Sequence, residues 1–293
     1  MTDDKIELGI VADEINRDFR EAVRIGTQVG LRRYEVRFLK SGRAPVCDRA
    51  ELLEVERIRD GEGIEITALS PGLFKHTSEE ATFKDEMAEV LPRAVECAVR
   101  WNLPALIVFG FQKPSATEEN GDLVSSDNPP EQVIEWLSEA AAQTAATKIK
   151  LLIEPEPICW ADSGAATVHL IQRVGSGTLG INYDPANVAW MLRRDAIDEF
   201  DMVAPLIGNV HVKDQLDAPL GSGRPTWVVP GEGMMDYQGH FAALQRLGYD
   251  GVISLEPHMD GSLETIQKCK QAVEHLWNTA LAGYDTLNCM PCR

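Results

Sequence analysis

Four short apolar runs in the second half of the chain each stop on a side chain able to ligate a metal. Ile149–Ile153 stops at Glu154, Leu179–Tyr183 at Asp184, Ile207–Val210 at His211 and Gly251–Leu255 at Glu256. The intervals between these residues are 30, 27 and 45 positions, and a strand with its crossover helix needs roughly 30 or more. The repetition therefore predicts successive βα units whose polar ends share one rim. In parallel βα architectures that rim, at the carboxyl ends of the strands, is where active sites are built.

The first half follows the same rhythm. Glu7–Ala12, Tyr34–Leu39, Ile64–Leu69 and Ala105–Phe109 read as strands, with helical stretches at Arg17–Val29, Asp48–Arg59, Ser78–Trp101 and Glu131–Ala146 between them. Ala105–Phe109 is continuously apolar, as a strand buried on both faces should be. After the four ligand-bearing strands, helices are expected at Ser163–Val174, near Asp195–Val203, at Phe241–Leu247 and at Ser262–Leu281. Eight alternations without a linker predict an α/β fold, a single (β/α)8 TIM barrel over 1–283 with a tail over 284–293. No GxGxxG follows the first strand, which argues against a dinucleotide-binding open sheet.

With 44% apolar and 25% charged residues the chain has the make-up of a globular domain. A formal net charge of −18 counts against nucleic acid, whose binding needs Lys and Arg to release counterions. No apolar run approaches ~20 residues and no leader-like segment opens the chain, so neither a membrane nor export is expected and a cytoplasmic location is. Six dispersed cysteines read as reduced thiols. The terminal Cys289-Met-Pro-Cys292 lacks a second ligand pair for structural zinc and receives no role.

Two glutamates, an aspartate and a histidine form a hard, oxygen-rich donor set. It suits one divalent ion, Mn²⁺ or Mg²⁺ with Co²⁺ as a third candidate, better than a thiolate-bound structural zinc. Any one such residue could instead cap a helix or pair with an arginine. Four at the ends of consecutive strands favour the ligand reading. The long stretch Gln215–Gly233, rich in Pro and Gly, is expected to be a functional loop on the same rim.

The motifs Leu-Ile-Glu154-Pro, Asn-Tyr-Asp184-Pro-Ala-Asn187, Asn-Val-His211-Val-Lys213-Asp214, Pro-Gly-Glu-Gly at 230–233 and Ile-Ser-Leu-Glu256-Pro-His resemble the xylose isomerase-like TIM-barrel superfamily. Within it they are most similar to sugar and keto-sugar isomerases and epimerases, the ketose 3-epimerases in particular. The resemblance implies a metal held by Glu154, Asp184, His211 and Glu256, with Glu154 and Glu256 doubling as acid and base. Elementary chemistry agrees, since a C–H beside a polarised carbonyl is acidic enough for a carboxylate to remove. Glu156, Asn187, Lys213 and Asp214 are then expected to contact a small sugar or keto-sugar substrate, and a homo-oligomer is left open.

This sequence also departs from the ketose 3-epimerase pattern. Asn187 stands where many of those enzymes carry histidine, and Lys213-Asp214-Gln215 where they carry arginine, changes that bear on hydroxyl recognition. Endonuclease IV, of the same superfamily, needs more histidines than the six present. An inosose-type dehydratase, which begins with the same proton abstraction, and a non-catalytic sugar-binding barrel are the remaining alternatives. The absence of a glycine nest with a basic partner favours a non-phosphorylated substrate.

Overall fold

The structure, a computed structural model, describes residues 6–114, 128–216 and 225–288. Eight parallel strands close on themselves: β1 (Leu8–Val11), β2 (Arg33–Val36), β3 (Glu65–Leu69), β4 (Ala105–Phe109), β5 (Lys150–Glu154), β6 (Leu179–Tyr183), β7 (Ile207–Val212) and β8 (Ile253–Leu255). Each lies beside its sequence neighbours. The ring is sealed where β8 pairs with β1, Ile253 opposite Leu8 and Leu255 opposite Ile10. The expected single (β/α)8 barrel is the fold observed.

The strands are closely surrounded. Every residue of β4 and β6 is buried, as strands covered by side chains inside and helices outside must be. The helix Phe19–Gln28 shows how the outer ring is fixed. Phe19, Ala22, Val23 and Gly26 are its buried positions, the i, i+3, i+4, i+7 stripe of an amphipathic helix. Gly26 belongs there because a Cβ would lie 2.4 Å from the Tyr34 hydroxyl.

The expected helix over Ser78–Trp101 is observed as one run over 80–101, with a π turn at Glu86–Val90. Pro92, just beyond it, has no N–H to give and its ring would crowd the carbonyl of residue 88. A wider turn at that point relieves both problems.

Two expectations need correction. The helix after β6 is not near Asp195–Val203; it is Pro185–Leu192, starting at the rim itself. Asp184 caps it by accepting a hydrogen bond from the Asn187 N–H at 3.1 Å, and Pro185 fits the first helical position. Asp195–Val203 supplies only a 3-10 turn at Ile197–Glu199 and the short helix Phe200–Val203. The last helix, Leu263–Asn288, runs past Leu281 into the segment expected to be a tail. The CxxC beyond it lies outside the described residues.

Two small antiparallel hairpins stand above the barrel's carboxyl rim. One continues β2 by pairing Phe38–Leu39 with Gly42–Arg43, and the other continues β7 by pairing Asp214–Gln215 with Trp227–Val228. They raise walls over the rim. Among the described residues no helix is long and apolar enough to cross a membrane.

Candidate active site

Proline follows three of the four strand-end ligands: Glu154-Pro155, Asp184-Pro185 and Glu256-Pro257. A proline has no N–H to continue a ladder, so each strand stops where its carboxylate emerges. β7 gains the same alignment from alternation, with Asn209, His211 and Lys213 facing the barrel axis. Glu154, Asp184, His211 and Glu256 are all buried, and one ligand atom from each lies within 4.8 Å of the others. The four residues singled out in the sequence converge.

A polar layer lies directly beneath them. Glu35 on β2 accepts hydrogen bonds from His211 Nε2 at 2.7 Å and Asn209 Nδ2 at 2.9 Å. Asn209 also donates to Asn182 Oδ1 at 2.8 Å, and Asn182 donates to Glu154 Oε2 at 2.9 Å. Glu154 is held from the side by Asn187 Nδ2, 3.2 Å from Oε1, which also reaches the Pro155 carbonyl at 3.0 Å. The path from Glu154 to His211 is therefore bonded at every link through residues of β2, β6 and β7. Such support fixes ring orientation and tautomer.

Engaging Nε2 leaves His211 Nδ1 with no hydrogen-bond partner. It sits 3.4 Å from Glu256 Oε2 and 3.6 Å from Glu154 Oε2. Burial alone would depress this imidazole's pKa, but the charges of Glu35 and Glu256 outweigh it and hold the pKa well above the usual value. For Glu154, burial and the neighbouring Glu256 both push the pKa up. Burial would do the same to Glu256, yet Lys213, His258 and His211 draw it well below the carboxylate range.

Lys213, expected to face substrate, is fully buried with its ammonium 2.5 Å from both Asp184 Oδ2 and Glu256 Oε2. It reaches the ligands rather than standing beyond them. Arg37 on the rim of β2 donates to Glu256, to Glu14 at 2.6 Å and to Asp13 at 2.9 Å. The donor set suits a divalent cation on three counts. It offers three carboxylate oxygens and an imidazole nitrogen, that nitrogen has no partner, and an ammonium is already drawn between two of the carboxylates.

Above the ligands opens a cleft of about 510 Å³, a size suited to a small metabolite. Glu156, Asn187 and Lys213 line it, together with Phe38, Phe109, Trp190 and Trp227. Glu156 accepts an ion pair from Lys75 at 2.7 Å. Asp214 is placed differently from the substrate contact expected of it. It is not part of the cleft wall; its carboxylate accepts from the backbone N–H of Gln215, Gly231, Gly233 and Met235 at 2.8–3.2 Å. The Pro-Gly-Glu-Gly motif is thus a nest of N–H groups around Asp214. A Cβ on Gly233 would lie 2.2 Å from Asp214 Oδ1, so the loop can close only over glycine. Residues 217–224 of the expected long loop lie outside the described residues.

Glu35, Arg37, Arg43 and Lys75 belong to the site and were not singled out in the sequence. The signal was present for the first two. Arg33, Glu35 and Arg37 occupy alternate positions of β2 and its continuation, a pattern that reads equally as a solvated face until the strand is known to be closed into a barrel.

A closed parallel barrel with a carboxylate and imidazole cluster at its carboxyl rim defines a class of barrel proteins equipped to hold a divalent cation. The sequence matches the xylose isomerase-like TIM barrel family over residues 23–279, and the chain belongs to that family. No curated protein matches the sequence. Solved structures similar to it include the IOLI protein with a bound zinc atom, with a TM-score of 0.74 at 17% identity over 94% of this chain and 99% of that one. L-ribulose 3-epimerase gives 0.69 at 15% identity, covering 98% of this chain and 100% of that one. The probable 3-DHS dehydratase AsbF of Bacillus anthracis gives 0.70 at 18%, covering 92% and 98%. At these identities the likeness establishes the fold alone.

Proposed function

We propose that the protein is a divalent-metal-dependent isomerase or epimerase acting on a small sugar or keto-sugar, working in the cytoplasm. The observation that carries this reading is the convergence of Glu154, Asp184, His211 and Glu256 at the floor of a metabolite-sized cleft. Their chemistry suits Mn²⁺ or Mg²⁺. A cation held by those four residues would supply Lewis acidity toward a substrate carbonyl. Buried cysteines at 47, 97, 159 and 269, all unpaired, fit a reducing compartment.

The chain's own residues perform the proton transfers. One of Glu154 and Glu256 removes the proton from the carbon beside the carbonyl, giving an enediolate, and the other returns a proton from the opposite face. Asn187 and Asn182 keep Glu154 in place through both of its oxygens. Glu156, on the cleft wall, orients substrate hydroxyls. Phe109, Trp190 and Trp227 exclude water from the reacting carbon. The chain's acidity counts against a nucleic-acid partner.

Turnover of a keto-sugar panel in D₂O by the Mn²⁺-supplemented protein tests this. Solvent deuterium is expected on the carbon next to the carbonyl, and Glu154→Gln or Glu256→Gln should slow the chemistry ~10²–10⁴-fold. Product free of deuterium would replace proton transfer by a hydride shift. Loss of water with a new enone absorbance would make the protein a dehydratase.

A further inference from the structure

Among the described residues, the cleft wall of this acidic protein carries four permanently charged or ammonium cations: Arg37, Arg43, Lys75 and Lys213. Three of them are already spent on carboxylates. Arg37 pairs with Asp13, Glu14 and Glu256, Lys75 with Glu156, and Lys213 with Asp184 and Glu256. Arg43 makes no ion pair among the described residues. Its only hydrogen bonds among the described residues run to Ser70, from Nε to the carbonyl at 3.0 Å and from Nη2 to the hydroxyl at 2.9 Å.

That leaves three of the five guanidinium N–H donors unused, including the end-on fork of Nη1 and Nη2 that matches a carboxylate in two parallel bonds. The guanidinium is also held rigidly. It lies 4.9 Å from the centroid of the Phe38 ring, a stabilising cation–π arrangement. Gly72, at φ +81°, passes so close that a Cβ there would lie 2.6 Å from Arg43 Nε. Backbone, ring and Ser70 together hold the fork on the cleft wall. Burial and the nearby Arg37 bring its pKa down to about 10, so it is still charged at neutral pH.

We propose that Arg43 is the specificity-determining residue of the cleft and binds a carboxylate of the substrate, which is then a keto-sugar acid rather than a neutral or phosphorylated sugar. A single unpaired guanidinium matches one negative charge; a phosphate dianion would need a second free cation, and none of the other three is free. The proposal rests on reading the cleft as the substrate site of a proton-transfer enzyme.

Equilibrium binding to the Mn²⁺-loaded protein tests it without turnover. The probes are 2-ketogluconate against fructose and glucuronate against glucose, with glucose 6-phosphate as the dianionic arm. At least one carboxylate should bind ten or more times tighter than its neutral partner. Arg43→Gln should remove about 10- to 100-fold of that affinity, as expected for hydrogen bonds to a charged group, while the neutral sugar binds unchanged. Arg43→Lys, which keeps the charge but not the fork, should recover part of the loss and stands in should the glutamine variant not fold. Equal affinities within both pairs, or a preference that survives Arg43→Gln, overturns the proposal. So does tighter, Arg43-dependent binding of glucose 6-phosphate. Carboxylate binding that depends on Arg43 without deuterium exchange from any sugar would sink the isomerase reading and leave this one standing.

Discussion

His211 Nε2 donates to Glu35 Oε2 at 2.7 Å, joining β7 to β2 across the barrel and leaving Nδ1 as the nitrogen that faces Glu154 and Glu256. Glu35 therefore decides which face of the imidazole can serve as a ligand. Replacing it with leucine should lower Mn²⁺ affinity about 10- to 100-fold, the usual cost of losing such a support. Titration followed by paramagnetic broadening would measure this, and an unchanged affinity would show that the ring is oriented by packing alone.

Lys213 is bonded to Asp184 Oδ2 and Glu256 Oε2, oxygens for which a divalent cation bound at the site would compete. In Lys213→Met the chelator-treated protein should lose about 3–5 kcal/mol, because carboxylates buried without a counter-charge are costly, while Mn²⁺ binds more tightly. The gap in Tm between loaded and chelated protein should widen. A fall in Mn²⁺ affinity would instead mean that Lys213 positions the carboxylates for the ion.

Glu156 lines the cleft and pairs with Lys75 but touches none of the four ligands. Glu156→Gln is expected to raise KM with metal content unchanged. Loss of the metal in this variant would move Glu156 from substrate contact to support of the centre.

Asp214 satisfies four backbone N–H groups with one carboxylate. Asp214→Ala should cost about 2–4 kcal/mol by leaving those donors unmade, read from urea unfolding, whereas an effect on KM alone would return Asp214 to the substrate.

Asp195 accepts from His240 Nε2 at 3.1 Å and from the N–H groups of Ile197 and Asp236 at 2.7 and 2.8 Å. Burial opposes its ionisation, but these bonds prevail and its pKa lies below the ordinary 3.8. A carboxylate depressed on folding contributes stability that is present above its unfolded pKa and lost as pH falls through the folded value. The Tm difference between the native protein and Asp195→Asn should therefore be constant above about pH 5 and shrink below 3.8. A difference that persists into that acid range would assign the effect to packing.

The barrel could be read from the sequence because its period is long and repeated. A strand ending on Glu154, Asp184, His211 or Glu256 announces both a βα unit and its rim. Those four residues come together as anticipated because alternation along a strand and a proline stop leave their side chains little freedom. Asp214 was less legible, since a carboxylate one position beyond a lysine can turn toward the substrate or toward its own loop. Only the folded loop, with Gly233 packed against it, decides. Arg43 and Lys75 were illegible for a different reason. Their importance lies in partners 27 and 81 residues away in the chain, and no local pattern encodes such a distance.

The hydrogen-bonded layer running through Glu154, Asn182, Asn209, Glu35 and His211 has a consequence for how such a barrel can be rebuilt. Barrels of repeated βα units invite exchange of single units between relatives, each unit being nearly self-contained in sequence. Here β2, β5, β6 and β7 share one buried chain of hydrogen bonds, so a graft that replaces any one of them breaks a bond made by at least one of the others. Shuffled descendants of this chain would keep the candidate ligand cluster supported as it is here only when those strands travel as a set, while β3 and β4 could be swapped without touching these bonds.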